Sequence, residues 1–154
     1  MELIRAAHIA LGEVGILAFV WVLMEVVQGP SGAGVLRIRG AALLGTGLFF
    51  AAWLAGGMYY VIEYGENIKP VIKEGPWPWA HGVFMETKEH IFLFLPFLAL
   101  VATALVWQYG DRLRDDRAMR FAVYALGSVV ILIGVLMTVM GYFVSSGFRE
   151  AVAR

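Results

Sequence analysis

Cysteine is absent from this 154-residue chain, and charged residues make up only 16% of it. Without cysteine the chain can form no disulfide, thiolate metal site, iron–sulfur cluster or covalent c-type haem link. Any metal or haem would have to be held by histidine, methionine, tyrosine or carboxylate side chains. The 12 basic and 12 acidic residues balance, so we expect no nucleic-acid partner. Patterns of a Ser/His/Asp triad, a P-loop or a dinucleotide fingerprint are also missing, which gives no support to a soluble type of enzyme chemistry.

Apolar residues dominate instead and account for 60% of the chain. This share is above that of a typical soluble domain, so the excess indicates contact with lipid. Four long apolar runs predict helical spans at about residues 9–27, 41–62, 82–107 and 121–144, the third of which has its apolar run at 91–107. Each approaches the ~20 residues that a helix needs to cross ~30 Å of hydrocarbon, and none alternates as a strand would. The sequence therefore predicts an all-α integral membrane protein, in which residues 1–154 form a single bundle of four transmembrane helices.

Local features refine these spans. The first run contains Glu13 and Glu25 and follows the weakly basic start MELIR, so we expect a retained helix rather than a secretory signal. Pro76 and Pro78 favour a helix start just after them, and Pro96 predicts a kink. The third helix is thus expected to begin ahead of its apolar run and to bend within the membrane.

The density of arginine favours one orientation in the membrane. The connections at residues 28–40 and 108–120 are rich in it, with Arg37, Arg39, Arg112, Arg114, Arg117 and Arg120. The opposite side spreads its basic residues over more chain, namely Arg5, Lys69, Lys73, Lys88, Arg149 and Arg154. Because basic residues concentrate in short cytoplasmic loops, we expect both arginine loops in the cytoplasm. Both termini and the segment 63–80 then face the extracytoplasmic side of a cell inner or plasma membrane.

With this topology the histidines of the chain all fall at the outer face: His8, His81 and His90. Glu86 and His90 are four residues apart and share one helix face, a common spacing for two ligands. Gly12 and Gly15 follow His8 on its face and leave a flat strip for another helix or a planar cofactor. Ionisable residues that border membrane spans indicate a function by default. The sequence therefore predicts a His/Glu cofactor site at the outer face.

One hypothesis for this site is a b-type haem between the first and third helices, with His8 and His90 as axial ligands. Gly12 and Gly15 would form the slot. The propionates would meet outer basic residues, with Arg5, Lys69, Lys73 and Lys88 as candidates. The protein would transfer electrons, with quinol or a larger respiratory-type membrane complex as its partner.

A second hypothesis, nearly as strong, is a transition-metal ion without porphyrin. Its candidate ligands are His8, Glu63, Glu86, His90 and His81, with Glu89 as a further candidate. Imidazole together with carboxylate suits Zn, Fe or Mn, and nearby methionines would favour Cu. Such a site would serve catalysis, metal handling or structure.

A third hypothesis is a cofactor-free accessory subunit of a larger membrane complex, in which the same side chains form a hydrogen-bonded network. A homo-oligomer is also compatible with the sequence. Glu25 lies apart from this cluster, near the other end of the first helix. We expect it to pair with Arg37 or Arg39, and the alternative is a proton-relay or quinone-site carboxylate.

Overall fold

Four long helices make up most of the computed structural model, which describes residues 1–153. They are α1 (Glu2–Val27), α2 (Ala33–Glu74), α3 (Ala80–Arg112) and α4 (Arg117–Val152). Each is long and apolar enough to cross a membrane, and the described residues contain no strand. The prediction of an all-α chain with four membrane-length helices is confirmed, and it suggests an integral membrane protein.

The second helix extends well beyond the apolar run that predicted it. α2 continues past residue 62 to Glu74, so the segment 63–80 is largely helical. At 1.5 Å per residue, the 42 residues of α2 reach roughly 60 Å, about twice the thickness of the hydrocarbon core. The part from Tyr60–Ile68 is π-helical. A π-helical turn holds an extra residue, so it changes the face that the following side chains occupy.

The third helix is interrupted close to the predicted kink. It is π-helical over Ala80–Met85 and α-helical over Glu86–Ile91, and it turns at residues 92–93 before it resumes at Phe94. Pro96 explains the position of the turn, because it has no N–H for the carbonyl four residues earlier and its ring crowds that carbonyl. The turn separates a polar outer segment of α3 from its apolar remainder.

Phenylalanine rings fill glycine sites where α1 and α2 meet. Phe19 of α1 lies over Gly45, and a Cβ added there would come within 2.8 Å of the ring. Phe49 of α2 covers Gly15 at the same distance, and the two rings stack with centroids 5.8 Å apart. Close packing of this kind holds helices together in lipid, where burial of apolar surface gives no net drive. The Gly15 part of the predicted strip is therefore a helix contact.

The fourth helix uses glycine in the same way against α1. Leu23 lies over Gly127 and Ile16 lies over Gly134, each with a side-chain carbon 2.7 Å from the position of an added Cβ. Glycine at these two levels lets the backbones of α1 and α4 approach closely. The first helix is thus held on two sides by glycine contacts.

Arginines tie the helices together at the end of the bundle opposite the histidines. Arg37 of α2 donates two hydrogen bonds, of 2.5 and 3.1 Å, to the Glu25 carboxylate of α1, which confirms one of the two expected pairings. Arg39 donates to the Asp111 carboxylate at 2.7 Å and to the Trp107 carbonyl at 3.0 Å, and so joins α2 to α3. The charges that join helices at this end have partners within the chain.

We expect Gly45→Ala to destabilise the bundle, because its methyl group would overlap the buried Phe19 ring. Overpacking of this kind costs about 1–3 kcal/mol. Gly47→Ala is the matched control, since no atom lies within 4 Å of a Cβ added there. The control should keep or slightly raise stability, because alanine favours helix over glycine. Thermal unfolding in detergent measures both, and equal losses for the two variants would contradict the Phe19 contact.

Candidate cofactor site

The three histidines lie toward one end of the bundle but meet different partners. His8, near the start of α1, contacts α2. His81, at the start of α3, contacts Tyr64 on the outer extension of α2. His90 lies on the outer segment of α3, before the turn, and bonds to its own helix. Two of the three histidines therefore face α2, and each must be considered separately.

His8 is fixed against α2 by a hydrogen bond and by a glycine. Its Nδ1 lies 2.8 Å from the carbonyl oxygen of Ala52, and a Cβ added at Gly56 would come within 2.7 Å of the same nitrogen. A carbonyl oxygen can only accept, so Nδ1 carries the proton and Nε2 of the neutral ring keeps a free lone pair. The only hydrogen bond of this ring within residues 1–153 is the one at Nδ1. The imidazole is thus oriented by the protein and leaves one nitrogen for a ligand.

The region between Gly12, Lys88 and Gly141, here called the outer gap, has an open position at Gly12. A Cβ added at Gly12 would meet no atom within 4 Å. His8 faces α2, and Ile16 faces α4. Because successive residues of an α-helix are rotated by 100°, Gly12 projects between these two directions, toward the interior of the bundle. A Cβ added at Gly141 of α4 would meet only the Nζ atom of Lys88, at 3.3 Å. Because Ile16 lies over Gly134 and Leu23 over Gly127 in this antiparallel pair, Gly141 lies at the level of residues 8–12 of α1.

His81 forms a second polar site between α2 and α3. It is 2% exposed, and its Nδ1 lies 3.0 Å from the Tyr64 hydroxyl. Its Nε2 has no hydrogen-bond partner within residues 1–153 and lies 3.8 Å from a carboxylate oxygen of Glu86. One carboxylate oxygen of Glu89 is buried without a partner as well. Because unpartnered buried polar atoms are costly, they indicate a place for water, an ion or a ligand.

His90 points away from His8. Its Nδ1 bonds to the carbonyl of Glu86, one turn earlier, at 2.6 Å, and its side chain is exposed. Lys88 lies two residues before His90 on the same α-helical segment and projects into the outer gap. Residues two positions apart on an α-helix are rotated by about 200°. His90 therefore lies on the face of α3 opposite to that of Lys88. The structure therefore does not bring His8 and His90 together as facing axial ligands.

The predicted metal ligands are dispersed as well. Glu86 approaches His81, but its side chain is 56% exposed. Glu63 has no ion pair with a histidine in the part of the chain that the structure describes. No group of three or more histidine, cysteine, aspartate or glutamate residues within residues 1–153 is arranged to hold a metal ion. Of the predicted set, the structure brings His81 and Glu86 closest to a shared site.

Some features of the site carry little or no sequence signal. Ala52 contributes a backbone carbonyl, which any residue type could supply, so no pattern marks it. Tyr64 is directed toward α3 from a π-helical turn, and the sequence gives no indication of that turn. Gly141 does carry a signal, because it follows Gly127 and Gly134 at a seven-residue spacing that keeps one helix face.

Comparison with known proteins gives no assignment, because no family model, curated protein or solved structure matches this chain. The side chains of the histidine end are therefore the basis for a functional proposal.

We expect Tyr64→Phe to destabilise the histidine end, because it leaves the buried Nδ1 of His81 without its partner. The expected cost is about 1–3 kcal/mol in the free energy of unfolding. Tyr124→Phe is the control, since that side chain is 43% exposed and its change should stay within about 0.5 kcal/mol. Thermal unfolding in detergent compares the two variants. Unchanged stability of Tyr64→Phe would show that its hydroxyl contributes nothing to this buried site.

Proposed function

We propose that this chain binds a b-type haem in the outer gap, with His8 as an axial ligand, and carries electrons within the membrane. Histidine is a standard axial ligand of haem iron, and the protein around it tunes the reduction potential. The described residues form membrane-length helices with short connections. An electron partner would therefore reach the haem from the bilayer, as quinol does, or from an adjoining subunit of a respiratory-type membrane complex.

The orientation of His8 is the observation that carries this proposal. Histidines that ligate a metal usually donate their other N–H to a backbone carbonyl or a carboxylate, which fixes the tautomer and the direction of the ring. His8 has this arrangement, with Nδ1 at 2.8 Å from the Ala52 carbonyl. Its Nε2 lone pair is then available to an iron atom beside α1.

Space and charge beside His8 also support haem binding. The site of a Cβ at Gly12 is empty, which leaves room next to the ligand nitrogen. Toward the arginine end this room closes at Gly15, which is covered by Phe49, so the haem would lie toward the histidine end. Lys88 adds a positive charge where the propionates would need one.

His8 is the one side chain that this proposal assigns to the haem iron. His90 faces away from the outer gap, so it would not ligate the same iron while α3 keeps this conformation. A haem held by His8 alone would differ from a bis-histidine haem in its absorption and electron paramagnetic resonance spectra.

A transition-metal ion at His81 is the second candidate, and the unpartnered Nε2 atom favours it. Two ligands that each lie about 2.0–2.2 Å from one ion are separated by roughly 3–4 Å, and Glu86 lies 3.8 Å from this nitrogen. Tyr64 would orient the ring from the Nδ1 side, as outer partners of ligating histidines do. Water, or Glu89 after rotation of its side chain, would complete the coordination.

We expect protein expressed with added haem to show a Soret band, and we expect His8→Ala to abolish it, because the ligand nitrogen is lost. His90→Ala is the matched control and should keep the band, since His90 lies on the outward face of α3. Absorption spectroscopy with a quantitative haem assay measures both variants in the same detergent.

The outcomes separate the candidates. Loss of the band in both variants would indicate bis-histidine ligation and contradict the observed face of His90. A wild-type protein without a Soret band would reject the haem proposal. Bound Zn, Fe or Cu in that protein, measured by elemental analysis and removed by His81→Ala, would then favour the metal site.

The arginine end of the bundle is, in our proposal, cytoplasmic, and the histidine end and both termini are extracytoplasmic. The support is the cluster of arginines beside the two short connections, between α1 and α2 and between α3 and α4. The haem would then lie near the outer surface of a cell inner or plasma membrane.

Single cysteines can test this orientation, because the natural chain has none. Glu66→Cys, on the outer extension of α2, should react with a membrane-impermeant maleimide in intact cells. Arg114→Cys should react only after the membrane is opened, and both positions are exposed in the structure. The reverse labelling pattern would place the histidine end in the cytoplasm.

A further inference from the structure

Lys88 brings an ammonium group into the interior of the bundle. It lies on the segment Glu86–Ile91 of α3, and its Nζ atom reaches α4, 3.3 Å from the position of a Cβ added at Gly141. The residue as a whole is partly exposed, and its ammonium group lies against the backbone of α4 at Gly141. Within residues 1–153 this group forms no ion pair with a carboxylate.

A charged group in this position is costly without a counter-charge. Removal of an ammonium ion from water costs several kcal/mol unless an opposite charge accompanies it. The neighbouring carboxylates do not supply one, since Glu86 approaches His81 and one buried oxygen of Glu89 has no partner. His8, at this level of α1, is a neutral ring bonded to the Ala52 carbonyl and carries no negative charge. The outer gap therefore has a positive group whose counter-charge is missing.

The glycine series of α4 explains why space remains beside this lysine. Glycines recur on one face at a seven-residue spacing: Gly127, Gly134 and Gly141. Side chains of α1 cover the first two, but the third meets only the Lys88 ammonium. The first and fourth helices are thus in close contact at two levels, and at the third level Lys88 of α3 takes the place of an α1 side chain, with the open position of Gly12 nearby on α1. An interior cation and an adjoining space occur at the same place.

We propose that Lys88 binds a carboxylate group in the outer gap. The carboxylate would be a propionate of the haem, or the head group of a free long-chain carboxylic acid from the bilayer, which offers the same chemistry. An ammonium and a carboxylate form charge-assisted hydrogen bonds, which are about twice as strong as neutral ones. The haem source rests on the function proposed above, whereas the lipid source does not.

Two other basic residues of this end, Arg5 and Lys73, do not combine a position between helices with a missing partner. Arg5 is paired with Glu2 on its own helix. Lys73 is exposed on the outer extension of α2, where water solvates its charge. Among the candidates that the sequence offered for a propionate, Lys88 is the one that points between helices beside His8.

The affinity of Lys88→Met for haem b tests the haem source. Methionine keeps an unbranched side chain and removes the charge, so haem b should bind about tenfold more weakly or worse. The dimethyl ester of haem b has uncharged propionates and should bind wild type and Lys88→Met equally. Lys73→Met is the matched control and should bind haem b as tightly as the wild type. Equal affinity of Lys88→Met and wild type for haem b would overturn the haem source.

A fluorescent polyene fatty acid tests the lipid source. This experiment does not depend on haem, so it still tests the role of Lys88 if the wild type binds no haem and the proposed function fails. In nanodiscs, wild type should bind the acid about tenfold more tightly than Lys88→Met does, and the methyl ester of the acid should not distinguish them. The proposal is overturned if neither haem b nor the fatty acid distinguishes Lys88→Met from the wild type.

Discussion

Two contacts of a phenylalanine with a glycine set how closely α1 and α2 approach: Phe19 on Gly45 and Phe49 on Gly15. Because each ring stands where a Cβ would otherwise lie, the two helices are fixed in both rotation and axial position. The same alignment, continued toward the outer end, places His8 within hydrogen-bond distance of the Ala52 carbonyl. The direction of the candidate ligand nitrogen is therefore a consequence of packing deeper in the bundle.

The two ends of the bundle differ in how their polar groups are satisfied. At one end, Arg37 and Arg39 hold carboxylates and a carbonyl of neighbouring helices, which stabilises the fold, although the Nε atom of Arg39 is buried without a hydrogen-bond partner within residues 1–153. At the other end, the ring of His81 has a buried unpartnered nitrogen, and Lys88 has no ion pair within residues 1–153. In an apolar solvent such atoms are costly, and the histidine end is distinguished by a charge, that of Lys88, without an ion pair in the described part of the chain.

The sequence was sufficient to predict the number and type of helices, because a long apolar run has few alternatives to an α-helix in lipid. It also predicted the pairing of Glu25 with Arg37 and the bend near Pro96, which follow from local chemistry. It was not sufficient for the faces of the helices, since helices that are apolar all round carry no amphipathic pattern to fix their rotation. For this reason His90, expected to face His8, lies on the outward face.

The open space at Gly12 also bears on which cofactor the outer gap would favour. Close contact stabilises helices in lipid. Where small residues of α1 and α4 border a gap, the bundle lacks the packing that larger side chains would supply. That loss is offset if a ligand occupies the gap. The gap presents an electron-pair donor, Nε2 of His8, and a cation, Lys88. A bare metal ion would use only the first and would be repelled by the second, and a fatty acid would use only the second. Haem b uses both, since it combines an iron atom with two carboxylates, and for this reason we favour it over a bare metal ion at this place.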